Sequence, residues 1–174
     1  KWRIVTLHQD IYGSAEHSNE PEITNLRYSL VPIFEENDVD IVLTGHDHAY
    51  SRTKMLKGGQ STTGFEYTDD EFDEQLDKDL DVGDSTETRY EAPANIQDDT
   101  TDPAEQRYLE YLHSVMDDEA VLELTDGQDV AINSEGIMYL TAGSSSGSKY
   151  YDLVPRQQTY IASRWQQDVP TYSV

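Results

Sequence analysis

Residues 40–52, which read D-I-V-L-T-G-H-D-H-A-Y-S-R, decide the fold of this chain. Residues 41–43 form a short apolar run that is rich in β-branched side chains, and such a run predicts a buried strand. Gly45 ends the run, and His46 and His48 follow it directly. If the backbone stays extended there, the period of two along a strand places both imidazoles on the same side.

Two histidines at the end of a buried strand have two interpretations. Imidazole is a common metal ligand because it is largely unprotonated near neutral pH, so His46 and His48 are candidates for half of a metal site. A bare H-x-H pattern is as typical of a polar loop whose imidazoles face solvent. The residues around this stretch decide between the two.

The preceding part of the chain predicts another strand and a helix. Residues 2–7, W-R-I-V-T-L, are a strand candidate that ends at His8, and a loop follows as far as Pro21. Apolar residues then recur at helical spacing, at Ile23, Leu26, Leu30, Ile33 and Phe34. Pro32 complicates this helix, since an interior proline kinks or breaks one. Strand, helix and strand in this order favour a parallel pair with a right-handed crossover.

The parallel pairing predicts that three histidines lie close together. Functional groups in such sheets gather beyond the carboxyl ends of the strands. His8 ends the first strand, and His46 and His48 follow the second. Three imidazoles are therefore expected at one edge of one sheet, which is a more specific indication of a metal site than the H-x-H pattern alone.

The chain is strongly acidic. It has 174 residues, a formal net charge of −23 and 36% hydrophobic residues. On simple electrostatics, this charge makes nucleic acid and anionic membranes poor partners. The absence of cysteine excludes disulfides and thiolate metal sites. We find no apolar run of about 18 residues, so no membrane span is predicted.

The charge divides the chain into two compositional parts. Residues 66–135 contain 24 of the 35 acidic residues and only three basic ones. We therefore predict an α/β core formed by residues 1–57 and 136–174, with residues 58–135 as a solvated, partly helical acidic insertion. Lys1 is not a natural start and a strand follows it at once, so we expect the chain to be cut from a longer protein.

Two features of the insertion can each be interpreted as functional or as ordinary structural features. Asp77, Asp79 and Asp81 are spaced as at the start of a calcium loop, but the glycine falls at position 83 and not at the sixth place of the loop. A solvated charge run is the preferred interpretation. His113 lies in a segment of helical character and is interpreted as an ordinary residue of the helix face.

The chain returns to the core after the insertion. Residues 136–142, G-I-M-Y-L-T-A, predict a further strand. The sequence G-S-S-S-G follows at residues 143–147. This segment is interpreted as a plain connector, and the alternative is a turn that approaches a phosphate with its backbone N–H groups.

Three segments taken together resemble one protein family. T-L-H-Q-D-I-Y at residues 6–12, T-G-H-D-H-A-Y-S-R at 44–52 and G-I-M-Y-L-T-A-G at 136–143 are similar to the C-terminal half of a calcineurin-like metallophosphoesterase, most of all to the purple-acid-phosphatase-like branch. The resemblance covers about residues 1–57 and 136–165. It implies an α/β sandwich of two β-sheets flanked by helices, of which this chain would form a part.

The resemblance also implies roles for four histidines. His8 and His46 would bind one metal of a bimetallic site, and His48 would bind the other. The two ions could be iron, zinc or manganese, since imidazole and carboxylate ligands suit several metals. His17 lies where related enzymes place a histidine near the substrate and its leaving group, which makes it the candidate general acid or phosphate contact. The alternative is a loop histidine in solvent.

The chain departs from the family pattern in two ways. Gln9 and Asp10 replace the usual small residue and proline after the first histidine. The motifs that carry the other ligands, an aspartate, a G-D-x-x-Y or G-D-x-x-D element and a G-N-H-E, do not occur in this sequence. A missing N-terminal half of the same domain would have to supply them. The chain alone is therefore expected to bind no stable pair of metals and to be inactive.

The function implied for the full-length parent is hydrolysis of a small phosphate ester, more specifically a monoester. Two cations about 3.5–4 Å apart stabilise both the attacking and the leaving oxygen, and His17 could protonate the leaving oxygen. The alternative is a non-catalytic metal-binding or interaction module that uses the acidic insertion. The sequence upstream of this chain distinguishes the hydrolase from the non-catalytic module. The family and the lack of cysteine favour an extracytoplasmic or secreted protein.

Overall fold

The computed structural model describes residues 1–15, 17–18, 20–58, 67–80, 95–116, 122–123, 135–147, 149–154 and 157–172. In chain order, its elements are β1 (Ile4–Thr6), α1 (Pro21–Glu36), β2 (Ile41–Thr44), β3 (Tyr50–Thr53), β4 (Leu56–Lys57), α2 (Asp69–Leu80), α3 (Pro103–Met116), β5 (Leu122–Glu123), β6 (Met138–Ala142) and β7 (Ile161–Trp165). None of the described helices is long and apolar enough to cross a membrane.

A five-stranded mixed sheet forms the centre of the fold, with the strand order β1-β2-β6-β3-β7. β1, β2 and β6 run parallel, whereas β3 lies antiparallel to both β6 and β7. In the register, Val42 of β2 is paired with Val5 on one side and with Tyr139 on the other. The predicted parallel pair and the predicted third strand are both confirmed. The α/β class is confirmed as well, and the sheet with its helices is consistent with a partial sandwich.

Helix α1 continues through Pro32 for 16 residues without a break. Pro21 stands in its first turn, where a missing N–H costs no hydrogen bond. The buried side chains of the helix are Pro21, Ile23, Thr24, Arg27, Tyr28, Val31 and Phe34. The buried stripe is therefore shifted from the apolar pattern of the sequence, and Ile33 is 52% exposed.

Arg27 is fully buried in α1 because its charge has partners on several sides. Its Nε donates to the carbonyl oxygen of Ile11 at 2.5 Å. Its guanidinium lies 4.5 Å from the ring centre of Tyr12 and 5.4 Å from that of Tyr160. A buried charge needs such contacts, since removal from water is costly. The side chain joins α1 to the loop after β1, where His17 lies.

The described part of the acidic insertion has a hydrophobic core of its own, which differs from the expectation of a solvated segment. Its buried members are Tyr67, Phe72, Leu76, Ile96, Tyr108, Leu109, Tyr111, Leu112 and, from the C-terminal part, Val154. Most of the acidic side chains that the structure describes in α2 and α3 are exposed, as expected for the polar faces of amphipathic helices. The hydroxyl of Tyr111 also lies 3.0 Å from Oγ1 of Thr24 in α1. The insertion therefore packs on the predicted core.

The interpretation of Asp77, Asp79 and Asp81 as part of a solvated charge run is wrong for Asp79. It is only 2% exposed, and its Oδ1 accepts the backbone N–H groups of Asn95 at 2.8 Å and Ile96 at 2.7 Å. Asp77 and Asp79 lie on helix α2 and not in a loop, so they lack the form of a calcium loop. Asp81 and the side chain of His113 fall outside the described residues.

Candidate metal centre

The strand ends bring His8 and His46 into contact. The pairing of β1 with β2 continues past both strands, because Leu7 donates its N–H to the carbonyl oxygen of Leu43 at 3.1 Å and Gly45 donates to that of His8 at 2.9 Å. The rings of His8 and His46 then meet edge to face with centres 5.3 Å apart. The expected meeting of histidines at the carboxyl ends of parallel strands is seen for this pair.

The backbone turns sharply at His46, with a φ of +67°. Residues other than glycine rarely adopt this left-handed conformation, which costs on the order of 1–3 kcal/mol and is concentrated at functional sites. The chain is therefore not extended from His46 to His48, and the alternation argument for two imidazoles on one side does not hold. The turn separates the two rings, since His46 faces His8 and His17 while His48 faces Tyr151.

His17 joins the same group from the loop before α1. Its ring centre lies 5.0 Å from that of His46, and its Nδ1 lies 2.6 Å from Oε1 of Glu20. The side chains of His17 and Glu20 are 27% and 33% exposed, so both are half-buried. A carboxylate at this distance orients the imidazole and favours a proton on the nitrogen that faces it.

Tyr151 connects His48 to this group. Its ring stacks on His48 at 4.8 Å and meets His17 edge-on, also at 4.8 Å. Nδ1 of His48 lies 3.1 Å from the carbonyl oxygen of Lys149. Because a carbonyl oxygen can only accept, Nδ1 must carry the proton of the neutral ring. Nε2 of His48 is then the nitrogen with a lone pair for a metal.

A layer of buried carboxylates lies beneath the histidines. Asp47 is 1% exposed and Asp10 is fully buried. The Oδ1 of Asp47 accepts the backbone N–H of His17 at 3.1 Å, and its Oδ2 accepts the hydroxyl of Ser18 at 2.6 Å. Asp10 lies 3.2 Å from the same hydroxyl through its Oδ2. Asp47 thus holds the loop that carries His17 against the turn between His46 and His48.

Burial sets the protonation of two groups in this region. Desolvation, followed by the charge of Asp47, raises the pKa of Asp10 well above its ordinary value and favours its neutral form. Desolvation, followed by the nearby His17, lowers the pKa of His46. The lowered pKa favours neutral imidazole, which is the form that binds metals.

His17, Glu20 and His46 form a group that could hold a metal ion. One ligand atom from each side chain lies within 4.8 Å of the other two, and within the described parts of the chain this is the one such group of three. His8 touches the group through His46 and is exposed. His48 reaches it through Tyr151. Of the four predicted site residues, His8 and His17 contact His46, whereas His48 is connected to them through Tyr151.

Several residues of this centre are not predicted by the sequence. Glu20 and Tyr151 are not among the site residues that the sequence patterns predict. Asp10 lies two residues after His8, and Asp47 lies between His46 and His48. Carboxylates this close to predicted ligands were the available signal for a shared layer. Ser18 carries no signal of its own in the sequence.

About a third of the chain is similar to known proteins. It is 38% identical over 60 residues to purple acid phosphatase 18 of Arabidopsis thaliana, a match that covers 34% of this chain and 14% of that protein. It is 44% identical over 48 residues to purple acid phosphatase 4 of the same plant, covering 28% of this chain and 13% of the relative. An uncharacterized protein of Mycobacterium tuberculosis is 33% identical over 61 residues, which cover 35% of this chain and 11% of that protein.

These matches indicate a metallophosphoesterase-like relationship for part of the chain. The aligned part corresponds to between 11% and 19% of the length of the curated relatives. No model of a known protein family matches the chain. The relationship therefore applies to the similar segment of the chain.

Proposed function

We propose that this chain is part of a metal-dependent phosphoric ester hydrolase of the purple-acid-phosphatase-like kind. The contact between the rings of His8 and His46, 5.3 Å apart at the ends of two parallel strands, carries the proposal. Similarity to purple acid phosphatases over a third of the chain supports it. The chain supplies histidine ligands, and the missing N-terminal half of the same domain supplies the others.

The donor atoms of the centre suit transition metal ions. His8 and His46 would hold one ion and His48 the other, and iron, zinc and manganese all accept imidazole nitrogen. The bond from His48 Nδ1 to the Lys149 carbonyl oxygen, at 3.1 Å, is the kind of outer contact that orients a ligating histidine. When bound, the two ions would supply Lewis-acid activation of the phosphate and of the attacking water.

The remaining residues of the centre supply a proton to the substrate and hold the proton donor in place. His17 delivers a proton to the leaving oxygen of a phosphate monoester. Glu20, 2.6 Å from Nδ1 of His17, stabilises the protonated ring and fixes its direction. Asp47 holds the backbone of His17 at 3.1 Å and so keeps this acid beside His46. Tyr151 fills the space between His17 and His48 and excludes water from their faces.

The proposal extends to the partners and the location of the whole protein. The substrate is a small phosphate ester, and nucleic acid is excluded as a partner on the charge of −23. The extracytoplasmic or secreted location inferred from the resemblance is part of the same proposal. Fractionation of the source cells with an antibody against this chain tests the location directly.

The test of the activity uses the full-length protein. It is assayed with an aryl phosphate monoester and the matching diester, with added divalent metal and then with a chelator. The proposal expects monoester turnover that the chelator abolishes and that His46→Ala removes almost entirely. Full activity in His46→Ala contradicts the proposal. Complete inactivity of a folded, metal-loaded parent favours the binding module that uses the acidic insertion.

A further inference from the structure

The group formed by His17, Glu20 and His46 points to a metal site whose ligands differ from the pair His8 and His46. We propose that these three side chains bind a single divalent transition metal ion in the chain itself. The set differs from the pairing of His8 with His46 described above, since it takes His17 and a carboxylate from the loop before α1. The inference does not depend on phosphatase activity.

The chemistry of the three donors selects the class of ion. Two imidazole nitrogens and one carboxylate oxygen suit Zn²⁺, Co²⁺ and Fe²⁺, and they leave positions open for water. Mg²⁺ and Ca²⁺ prefer sets of oxygen ligands and keep several waters or carbonyls around them. The ligand atoms lie within 4.8 Å of one another. Binding at metal–ligand distances of about 2.0–2.2 Å requires these side chains to rotate towards the ion.

The backbone of the structure already holds the three residues in place. His17 donates its N–H to Oδ1 of Asp47 at 3.1 Å, and Glu20 donates its N–H to the carbonyl oxygen of His17 at 3.2 Å. Glu20 is the N-cap residue of α1, and its side chain makes no capping hydrogen bond. The Glu20 carboxylate therefore faces His17 and not the helix end, which is the direction that a ligand needs.

The site has a consequence for the larger centre. His46 belongs to both ligand sets, so an ion held by His17, Glu20 and His46 competes with the ion that His8 and His46 would share. The same ion would occupy His17, the proposed proton donor. Excess transition metal is then expected to lower the turnover of the full-length enzyme while binding at this group increases.

The test titrates Zn²⁺ into the 174-residue chain by calorimetry, with Co²⁺ absorption as a second readout. A background of millimolar Mg²⁺ saturates weak binding to the acidic surface. One saturable Zn²⁺ per chain is expected. Loss of a direct ligand should weaken binding at least as much as loss of an outer contact, so His17→Ala, Glu20→Gln and His46→Ala should each bind about tenfold or more weakly.

Matched variants separate this site from its alternatives. Glu22→Gln removes an exposed carboxylate of the same helix start and should leave the affinity unchanged. Circular dichroism of every variant checks that the fold is retained. Equal Zn²⁺ affinity in the parent, His17→Ala and Glu20→Gln overturns the proposal, as does the lack of saturable binding. Loss of binding in His8→Ala with retention in His17→Ala assigns the ion to the other ligand set.

Discussion

The carboxylate of Asp47 accepts the backbone N–H of His17 at 3.1 Å across 30 residues of sequence. Asp47 stands between His46 and His48, yet its side chain is 1% exposed and points beneath the histidines to the loop before α1. The same carboxylate accepts the Ser18 hydroxyl at 2.6 Å. One buried side chain thus connects the turn after β2 to the loop that carries the candidate acid.

Removal of this carboxylate is expected to loosen the His17 loop. In Asp47→Ala, the N–H of His17 and the hydroxyl of Ser18 lose a charged acceptor, which costs about 1.5–3 kcal/mol for a buried bond. The free energy of unfolding in urea should fall by that amount, and hydrogen exchange at the His17 amide should accelerate. Asp47→Asn keeps an acceptor oxygen and should lose less.

An exposed aspartate is the control for this change. Asp98→Ala removes a solvent-exposed carboxylate from the insertion and should leave both the unfolding free energy and the exchange rate of His17 nearly unchanged. Unchanged exchange at His17 in Asp47→Ala would show that the hydrogen bond does not hold the loop.

Asp79 is expected to be essential for the stability of the insertion. Its Oδ1 accepts the N–H groups of Asn95 and Ile96, and a buried donor left without a partner costs about 1–3 kcal/mol. Asp79→Ala should therefore lower the unfolding free energy by at least about 2 kcal/mol. Asp70→Ala, at an exposed position of α2, should cost less than about 1 kcal/mol. Equal urea unfolding midpoints for the two variants would show that the hydrogen bonds of Asp79 do not stabilise the insertion.

The contact between Tyr111 and Thr24 tests whether the insertion packs on the core. Their oxygens lie 3.0 Å apart in a buried position. In a double-mutant cycle with Tyr111→Phe and Thr24→Val, the coupling energy should be about 0.5–1.5 kcal/mol, the usual contribution of such a bond. A coupling energy of zero would mean that the insertion does not rest on α1.

The strands and the first helix could be predicted because their signals are local. The β-branched run at residues 41–43 and the apolar run at 136–142 form neighbouring parallel strands, β2 and β6. The meeting of His8 with His46 also followed, because the carboxyl ends of parallel strands share an edge. Pro32 gave a misleading signal, since the tertiary packing of α1 keeps the helix intact.

The rest of the centre depends on contacts that no local pattern carries. The left-handed turn at His46 decides which ring faces which neighbour. Histidine adopts that conformation more often than most residues other than glycine, but the residue type alone does not predict it. Tyr151 reaches His48 from 103 positions further along the chain. The composition of the insertion does not reveal its core. The many charged residues belong to amphipathic helices whose aromatic faces are buried.

Tyr151 is expected to position the histidine rings. Its ring stacks on His48 and meets His17 edge-on, each at 4.8 Å. In the full-length protein, Tyr151→Ala should lower kcat/KM for an aryl phosphate by about tenfold, the lower range for loss of a contact that orients ligands. Tyr151→Phe keeps the ring and serves as the control, with activity near that of the parent. A similar loss in both variants would assign the effect to the hydroxyl.

The metal content of the full-length protein tests the central claim most directly. After dialysis, elemental analysis should find two ions per molecule, because in the proposed bimetallic site His8 and His46 bind one ion and His48 binds the other. In His48→Ala, the content should fall to about one ion, since the removed imidazole serves only the second ion. Two ions retained in His48→Ala, or no tightly held metal in the parent, would contradict the account.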